Sequence, residues 1–113
     1  MPRREWRLRV EDILEAAARA QQYVQGMDVA TFIADQRTLD AVSRCFGIIG
    51  EAVVHIPDEV KDAHAEIPWV EMRAMRNIVV HEYFGVTNET LFKTAREDLP
   101  QIIEPLRKLL ASG

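Results

Sequence analysis

The feature that most constrains the fold is a long apolar stripe in the middle of the chain. Between residues 36 and 56, apolar side chains recur at three- and four-residue steps, at Leu39, Val42, Phe46, Ile49, Val53 and Ile56. This spacing fits the period of an α-helix and places all six side chains on one face. Pro57 follows at once and ends the pattern. The stripe therefore predicts a long helix with one buried face.

The same periodicity predicts three further main helices, and no segment shows the alternation typical of a strand. These helices cover about residues 10–25, 68–83 and 87–110. The last stripe continues in phase through Pro100, which predicts one kinked helix rather than two. Asp28 and Asp35 are placed to cap a short helix over residues 29–34 and the long helix after it. We expect an all-α fold, an antiparallel four-helix bundle with short additional helices.

Length and composition are those of one folded domain spanning residues 1–113. Hydrophobic residues make up 48% and charged residues 28%, well away from the composition of disordered chains. The formal net charge is -4, so any binding of phosphate must come from a local group of arginines. The chain starts with Arg3, Arg4, Arg7 and Arg9, which we interpret as a solvated N-terminal turn, with phosphate contact as the alternative.

The single cysteine and the absence of a long apolar run indicate a cytoplasmic protein. Cys45 cannot form a disulfide within one chain, and we expect an inert buried thiol. No apolar run approaches the roughly 20 residues needed to span a bilayer. The histidines share no helical spacing that would bind a metal, so no metal site is predicted.

Two glycines lie inside the central predicted helix. Gly47 and Gly50 each cost roughly 1 kcal/mol relative to alanine in a helix interior. We expect both to mark the close approach of another helix.

The candidate functional residues fall in the stretch from Arg76 to Tyr83. It places an arginine, a carboxamide, an imidazole and a phenol in an otherwise apolar segment, at Arg76, Asn77, His81 and Tyr83. An imidazole can move a proton near neutral pH, and a guanidinium can hold a phosphate. On a regular helix, however, Arg76 and His81 lie about 140° apart. Either the helix end is distorted or a two-fold dimer builds one site from both subunits, and we favour the dimer.

Other charged residues have candidate supporting roles. Arg76 is expected on the apolar face with Trp69 and Met72, where a buried arginine needs a partner anion. Arg73 borders that face and would repel Arg76 unless a carboxylate or phosphate lies between them. Glu51 and His55 are four residues apart and share one helix face with Arg44. They form either a polar flank or internal ion pair, or a group in which Glu51 faces the arginines and holds them.

At these residues the chain resembles the HepT family of the HEPN superfamily. The superfamily signature is an arginine, four to six intervening residues and a histidine, here Arg76 and His81, with Asn77 as the polar residue after the arginine. The HepT form adds a tyrosine, here Tyr83. Further similar blocks are Ile48–Ala52, Ile67–Trp69 and Asp98–Pro100. The resemblance covers nearly the whole chain.

The resemblance implies a dimeric, metal-independent endoribonuclease without a cofactor, acting as the toxin of a HEPN/MNT toxin–antitoxin pair. It implies that Arg76 and His81 are catalytic and that Asn77 supports them. The partner in the family is a minimal nucleotidyltransferase of the MNT type, which silences the toxin by transferring AMP to the motif tyrosine, here Tyr83. Two alternatives stay open: a non-catalytic helical module that binds and positions a nucleotidyltransferase, and a structural dimer in which Arg76 pairs with Glu51.

Overall fold

The fold consists of helices throughout the part of the chain that the computed structural model describes. It describes residues 3–80 and 88–112, with the backbone alone for residues 3, 4 and 78–80. The helices are α1 (Arg3–Val24), α2 (Val29–Ala34), α3 (Gln36–Val54), α4 (Asp58–Ala63), α5 (Trp69–Val80), α6 (Asn88–Lys93) and α7 (Leu99–Ser112), with a π-helical turn, Thr94–Asp98, between the last two. The predicted all-α fold is confirmed. Within the described ranges, no helix combines the length and apolar character needed to cross a membrane.

Helix α3 lies at the centre of the bundle. It packs most extensively against α1 on one side and α5 on the other, and α1 packs in turn against α7. All six residues of its predicted stripe are buried, none with more than 7% of its surface exposed. Burial of an apolar side chain of this size stabilises a fold by about 1.5–3 kcal/mol. The stripe is therefore the central layer of the core.

The two predicted aspartate caps are confirmed. A carboxylate oxygen of Asp28 accepts a hydrogen bond from the backbone N–H of Thr31 at 2.8 Å. Asp35 accepts from the backbone N–H of Thr38 at 3.2 Å and from its hydroxyl at 2.9 Å. These hydrogen bonds favour the ionised carboxylates and lower the pKa of both aspartates. Each cap satisfies a backbone donor that the helix leaves free.

The chain stays helical through Pro100, as predicted. Proline has no N–H to donate, so an ordinary α-helical hydrogen bond is lost there. Just before it, the backbone N–H of Leu99 donates to the carbonyl of Thr94, five residues earlier. This widened turn is the form that the predicted distortion takes. Pro105 also lies within α7 without ending it.

The start of the chain differs from the prediction. Helix α1 begins at Arg3, several residues before the predicted start at Val10. The interpretation of Arg7 as part of a solvated turn is wrong, because its half-buried guanidinium donates through Nη2 to the carbonyl oxygen of Leu110. That carbonyl belongs to the last turn of α7, where the helix supplies no donor. Arg7 thus joins the two ends of the chain.

Cys45 is a buried thiol, as expected. Only 4% of its surface is exposed. Burial disfavours the thiolate and raises the pKa of the thiol. Such a cysteine is a poor nucleophile at neutral pH.

Candidate active site

Helix α5 presents its polar residues to solvent. The side chain of Arg76 is 56% exposed, and Asn77 beside it is exposed as well. The buried face of α5 is formed by Trp69, Met72 and Met75. The expectation that Arg76 shares the buried apolar stripe is therefore wrong. Arg76 lies beside that face, where its guanidinium can reach a ligand from solution.

Gly50 allows α3 and α5 to approach closely at this point. A Cβ atom on Gly50 would lie 2.6 Å from Cβ of Arg76, 2.7 Å from its backbone nitrogen and 3.0 Å from the carbonyl oxygen of Arg73. Two of these three atoms are backbone, so a side chain could be admitted only by moving the helices apart. The predicted role of Gly50 is confirmed. For Gly47 the same expectation is wrong, because no atom of the described residues lies within 4 Å of the position its Cβ would take.

The close approach brings a carboxylate to the motif arginine. Oε2 of Glu51 lies 3.5 Å from Nε of Arg76, and Oε1 of the same carboxylate lies 3.6 Å from Nε2 of His55. Glu51 therefore faces the motif arginine and also forms the contact expected within α3. The sequence indicated His55 only through its spacing from Glu51. The packing of α3 on α5 makes that one carboxylate a partner of both His55 and Arg76.

A second cation, Arg73, lies next to this group. Arg73 is exposed, and within the described residues it makes no ion pair or hydrogen bond. Arg73, Arg76 and Asn77 line a cleft of about 300 Å³ together with Val54 and Val70. The cleft offers two guanidiniums and one amide, and Glu51 beside it pairs with Arg76. Such a group can bind an anion such as a phosphate.

The other two motif residues, His81 and Tyr83, lie outside the described residues. The meeting of Arg76 and His81, and its dependence on a second subunit, stay predictions. Among residues 3–80 and 88–112, no three His, Cys, Asp or Glu side chains are grouped so that they could hold a metal ion.

Comparison with known proteins identifies the family. A family model described as ribonuclease HepT-like matches residues 13–109. The chain belongs to the ribonuclease HepT-like family. The matched range includes both the described part of the site and the two motif residues outside it. No solved structure matches the chain.

Three curated relatives resemble this HepT-like protein over nine-tenths or more of their own length. A protein of Thermococcus cleftensis, named a probable ribonuclease HepT, is 42% identical over 102 residues, covering 88% of this chain and 93% of its own. A protein of Methanocaldococcus jannaschii, named as a candidate RNase, is 34% identical over 110 residues, covering 97% of this chain and 91% of its own. Another candidate RNase, from Caldanaerobacter subterraneus, is 32% identical over 101 residues, covering 89% and 90%.

Proposed function

We propose that this HepT-like protein is a metal-independent endoribonuclease, the toxin of a HEPN/MNT toxin–antitoxin pair, with Arg76 and His81 as its catalytic residues. The observation that carries the proposal is the guanidinium of Arg76, exposed to solvent and held by Glu51 beside a second exposed arginine, Arg73. Relatives named as ribonucleases supply the substrate class, RNA.

The proposed reaction needs only proton transfer and charge stabilisation. His81 removes the proton from a ribose 2′-hydroxyl, and the 2′-oxygen forms a bond to the adjacent phosphorus while the bond from phosphorus to the 5′-oxygen breaks. The leaving 5′-oxygen takes a proton from water or from the second imidazole of a dimer. Arg76 binds the non-bridging oxygens, where negative charge increases in the transition state. Asn77 supports this contact, and the products are a cyclic phosphate and a 5′-hydroxyl.

A second copy of the chain is proposed to complete the site. Val70 is 78% exposed, and Val54 and Ala74 are exposed beside it, all lining the cleft that holds Arg76. Exposed apolar residues next to charged ones are typical of a protein interface. A two-fold contact through this face puts α5 of one protomer against its copy and can bring Arg76 and His81 together across the axis.

Regulation is proposed to act on the same segment. A nucleotidyltransferase of the MNT type transfers AMP from ATP to the phenolic oxygen of Tyr83, with pyrophosphate as the leaving group. Tyr83 lies two residues after His81 in the sequence. The added nucleotide would fill the space that the RNA needs and add negative charge next to the arginines.

Cleavage of labelled RNA in the presence of EDTA tests the nuclease. The wild-type protein, purified without its antitoxin, is expected to cut, and His81→Ala to lose about 10²–10⁴-fold in rate. Arg76→Ala is expected to lose about 10²–10³-fold. His64→Ala, a histidine change at the end of α4, serves as the control and should cut normally.

Two results would contradict this proposal, the first in its catalytic residue and the second in its activity. If His81→Ala cleaved RNA at the wild-type rate, His81 would have no catalytic role. A stable complex with the nucleotidyltransferase and no RNA cleavage under any condition would favour the alternative, a non-catalytic module that positions the transferase.

A further inference from the structure

A groove between α1 and α3 begins beside the candidate site and is lined by three further arginines, Arg9, Arg19 and Arg44. The cleft nearest the site has a volume of about 390 Å³; Arg9 and Asp12 of α1 line it, together with Arg44, Gly47 and Glu51 of α3. A neighbouring cleft of about 330 Å³ shares Asp12 and Arg44 and continues along the same two helices. Because Glu51 pairs with Arg76, the groove opens directly next to the motif arginine.

Arg19 pairs with Glu15 in this groove, whereas Arg9 and Arg44 have no counter-ion among the residues that the structure describes. Neither Arg9 nor Arg44 makes an ion pair or a hydrogen bond within that part of the chain. The chain has 18 acidic residues for 14 basic ones, so carboxylates are abundant. Asp12 lines the same groove, yet it lies beyond 4 Å from both guanidiniums. Unpaired guanidiniums are suited to bidentate contact with phosphate oxygens.

Gly47 supplies an independent observation at the same place. Its backbone forms part of the groove, and the space where a side chain would lie holds no atom of the described residues to 4 Å. Glycine inside a helix is unfavourable by roughly 1 kcal/mol, and no contact within the described chain requires it here. Gly50, one turn further, is explained by the approach of α5. The open surface at Gly47 lets another molecule approach the helix backbone closely.

We propose that this groove binds the phosphate backbone of the RNA strand beside the cleavage site, with Arg9 and Arg44 on the phosphates and Gly47 as the floor. The proposal rests on the proposed function for the identity of the strand. Arg44 and Glu51 are seven residues apart on α3, about 10 Å along the helix axis. Arg44 therefore binds a different phosphate from the one held by Arg76. Contacts of this kind position a strand without reading its sequence.

RNA binding by the full-length chain tests the groove. Every variant is made in the His81→Ala background so that the RNA stays intact, and the probe is a labelled single-stranded RNA followed by fluorescence anisotropy at several salt concentrations. The Arg9→Gln/Arg44→Gln pair is expected to weaken binding roughly tenfold to a hundredfold at low salt. The slope of log Kd against log salt should fall by roughly 1.4, about 0.7 for each phosphate that an arginine no longer neutralises.

Three further variants distinguish RNA binding in the groove from a general electrostatic attraction between the protein and RNA. Lys93→Gln/Arg107→Gln removes two exposed cations from α6 and α7, far along the chain from the groove, and should change Kd by less than about twofold. Asp12→Asn removes a carboxylate that would repel the phosphates and should tighten binding about twofold to threefold. Gly47→Gln leaves the net charge unchanged and should weaken binding by filling the floor.

The outcomes are distinct from those of the nuclease test. Suppose that the wild type cleaves RNA and the Arg9→Gln/Arg44→Gln pair binds RNA with full affinity. This result would contradict RNA binding in the groove and support the nuclease activity. RNA binding that depends on Arg9 and Arg44, together with no RNA cleavage by the wild type, would support RNA binding in the groove and contradict the nuclease activity. An equal loss in the Lys93→Gln/Arg107→Gln pair would overturn the groove. The proposal would also be overturned if the Arg9→Gln/Arg44→Gln pair changed the molecular mass by light scattering and left RNA affinity unchanged. The groove would then be an interface between copies of the chain.

Discussion

Oε2 of Glu51 lies 3.5 Å from Nε of Arg76, and both side chains are about half exposed. Exposed ion pairs of this kind contribute about 0.2–1 kcal/mol to stability. The pair is therefore too weak to explain why the two helices meet at this point. Its value is in orientation, because a guanidinium held through Nε leaves its two terminal amino groups free to bind a phosphate.

Glu51→Gln is expected to reduce RNA cleavage by about ten- to a hundredfold with little change in stability, because Arg76 loses its orientation. A double-mutant cycle with Arg76→Gln should show coupling below about 1 kcal/mol in the free energy of unfolding. Glu104→Gln, which breaks the exposed pair of Glu104 with Arg107 on α7, is the matched control. Normal cleavage by Glu51→Gln would show that Arg76 needs no such support.

The two glycines of α3 should respond in opposite directions to alanine. Gly47→Ala is expected to raise the free energy of unfolding by about 0.5–1 kcal/mol, because the added methyl group meets no described atom and the helix gains propensity. Gly50→Ala is expected to lower it by about 1–3 kcal/mol, because the methyl group overlaps the backbone of α5. Urea denaturation measures both, and equal effects would contradict the close approach at Gly50.

The cap at Asp35 should make stability depend on acid. Hydrogen bonds from the hydroxyl and backbone N–H of Thr38 lower the pKa of Asp35 in the folded state. Because the pKa of Asp35 is lower in the folded state, its ionised carboxylate stabilises the fold at any pH above its pKa in the unfolded state, near 4. This stability is lost as the pH falls through the pKa of Asp35 in the folded state. Asp35→Ala should therefore lower Tm at pH 7, with a difference from wild type that shrinks on acidification. Asp62→Ala, at an exposed aspartate of α4, is the control and should change Tm at pH 7 little.

The exposed apolar face of α5 should decide oligomeric state. Val70→Lys is expected to convert a dimer to a monomer, because a charged side chain would be buried at the two-fold contact. Light scattering gives the mass, and circular dichroism should show an unchanged helical content. Val29→Lys, a similar change at an exposed valine of α2, is the control. A dimer that survives Val70→Lys would place the contact elsewhere.

The motif tyrosine should be the only acceptor of AMP. Intact-mass measurement after incubation with the nucleotidyltransferase and ATP is expected to show AMP on the wild type and none on Tyr83→Phe. Tyr23→Phe, the other tyrosine of the chain, keeps a phenol at position 83 and should be modified normally. AMP on Tyr83→Phe would move the modification to another residue.

Periodicity alone was sufficient to predict most of the secondary structure. The stripe of α3 matched the buried residues because a helix repeats its faces whatever it packs against. The aspartate caps were predictable for the same reason, since a side chain bonds to an amide three residues away. The family motif was also visible in the sequence, as it depends only on residue order.

Contacts between distant parts of the chain required the tertiary structure. The helical wheel placed Arg76 among core residues, but α5 packs on α3 so that the Arg76 side chain stays exposed beside Glu51. The sequence predicted a solvated Arg7, whereas in the structure Arg7 donates to the carbonyl oxygen of Leu110 on α7. The sequence predicted the same role for both glycines of α3. The structure shows that α5 packs closely against Gly50, whereas no atom of the described residues lies within 4 Å of a Cβ at Gly47. A sequence pattern fixes which residues share a face, whereas the partner of that face depends on how the helices pack.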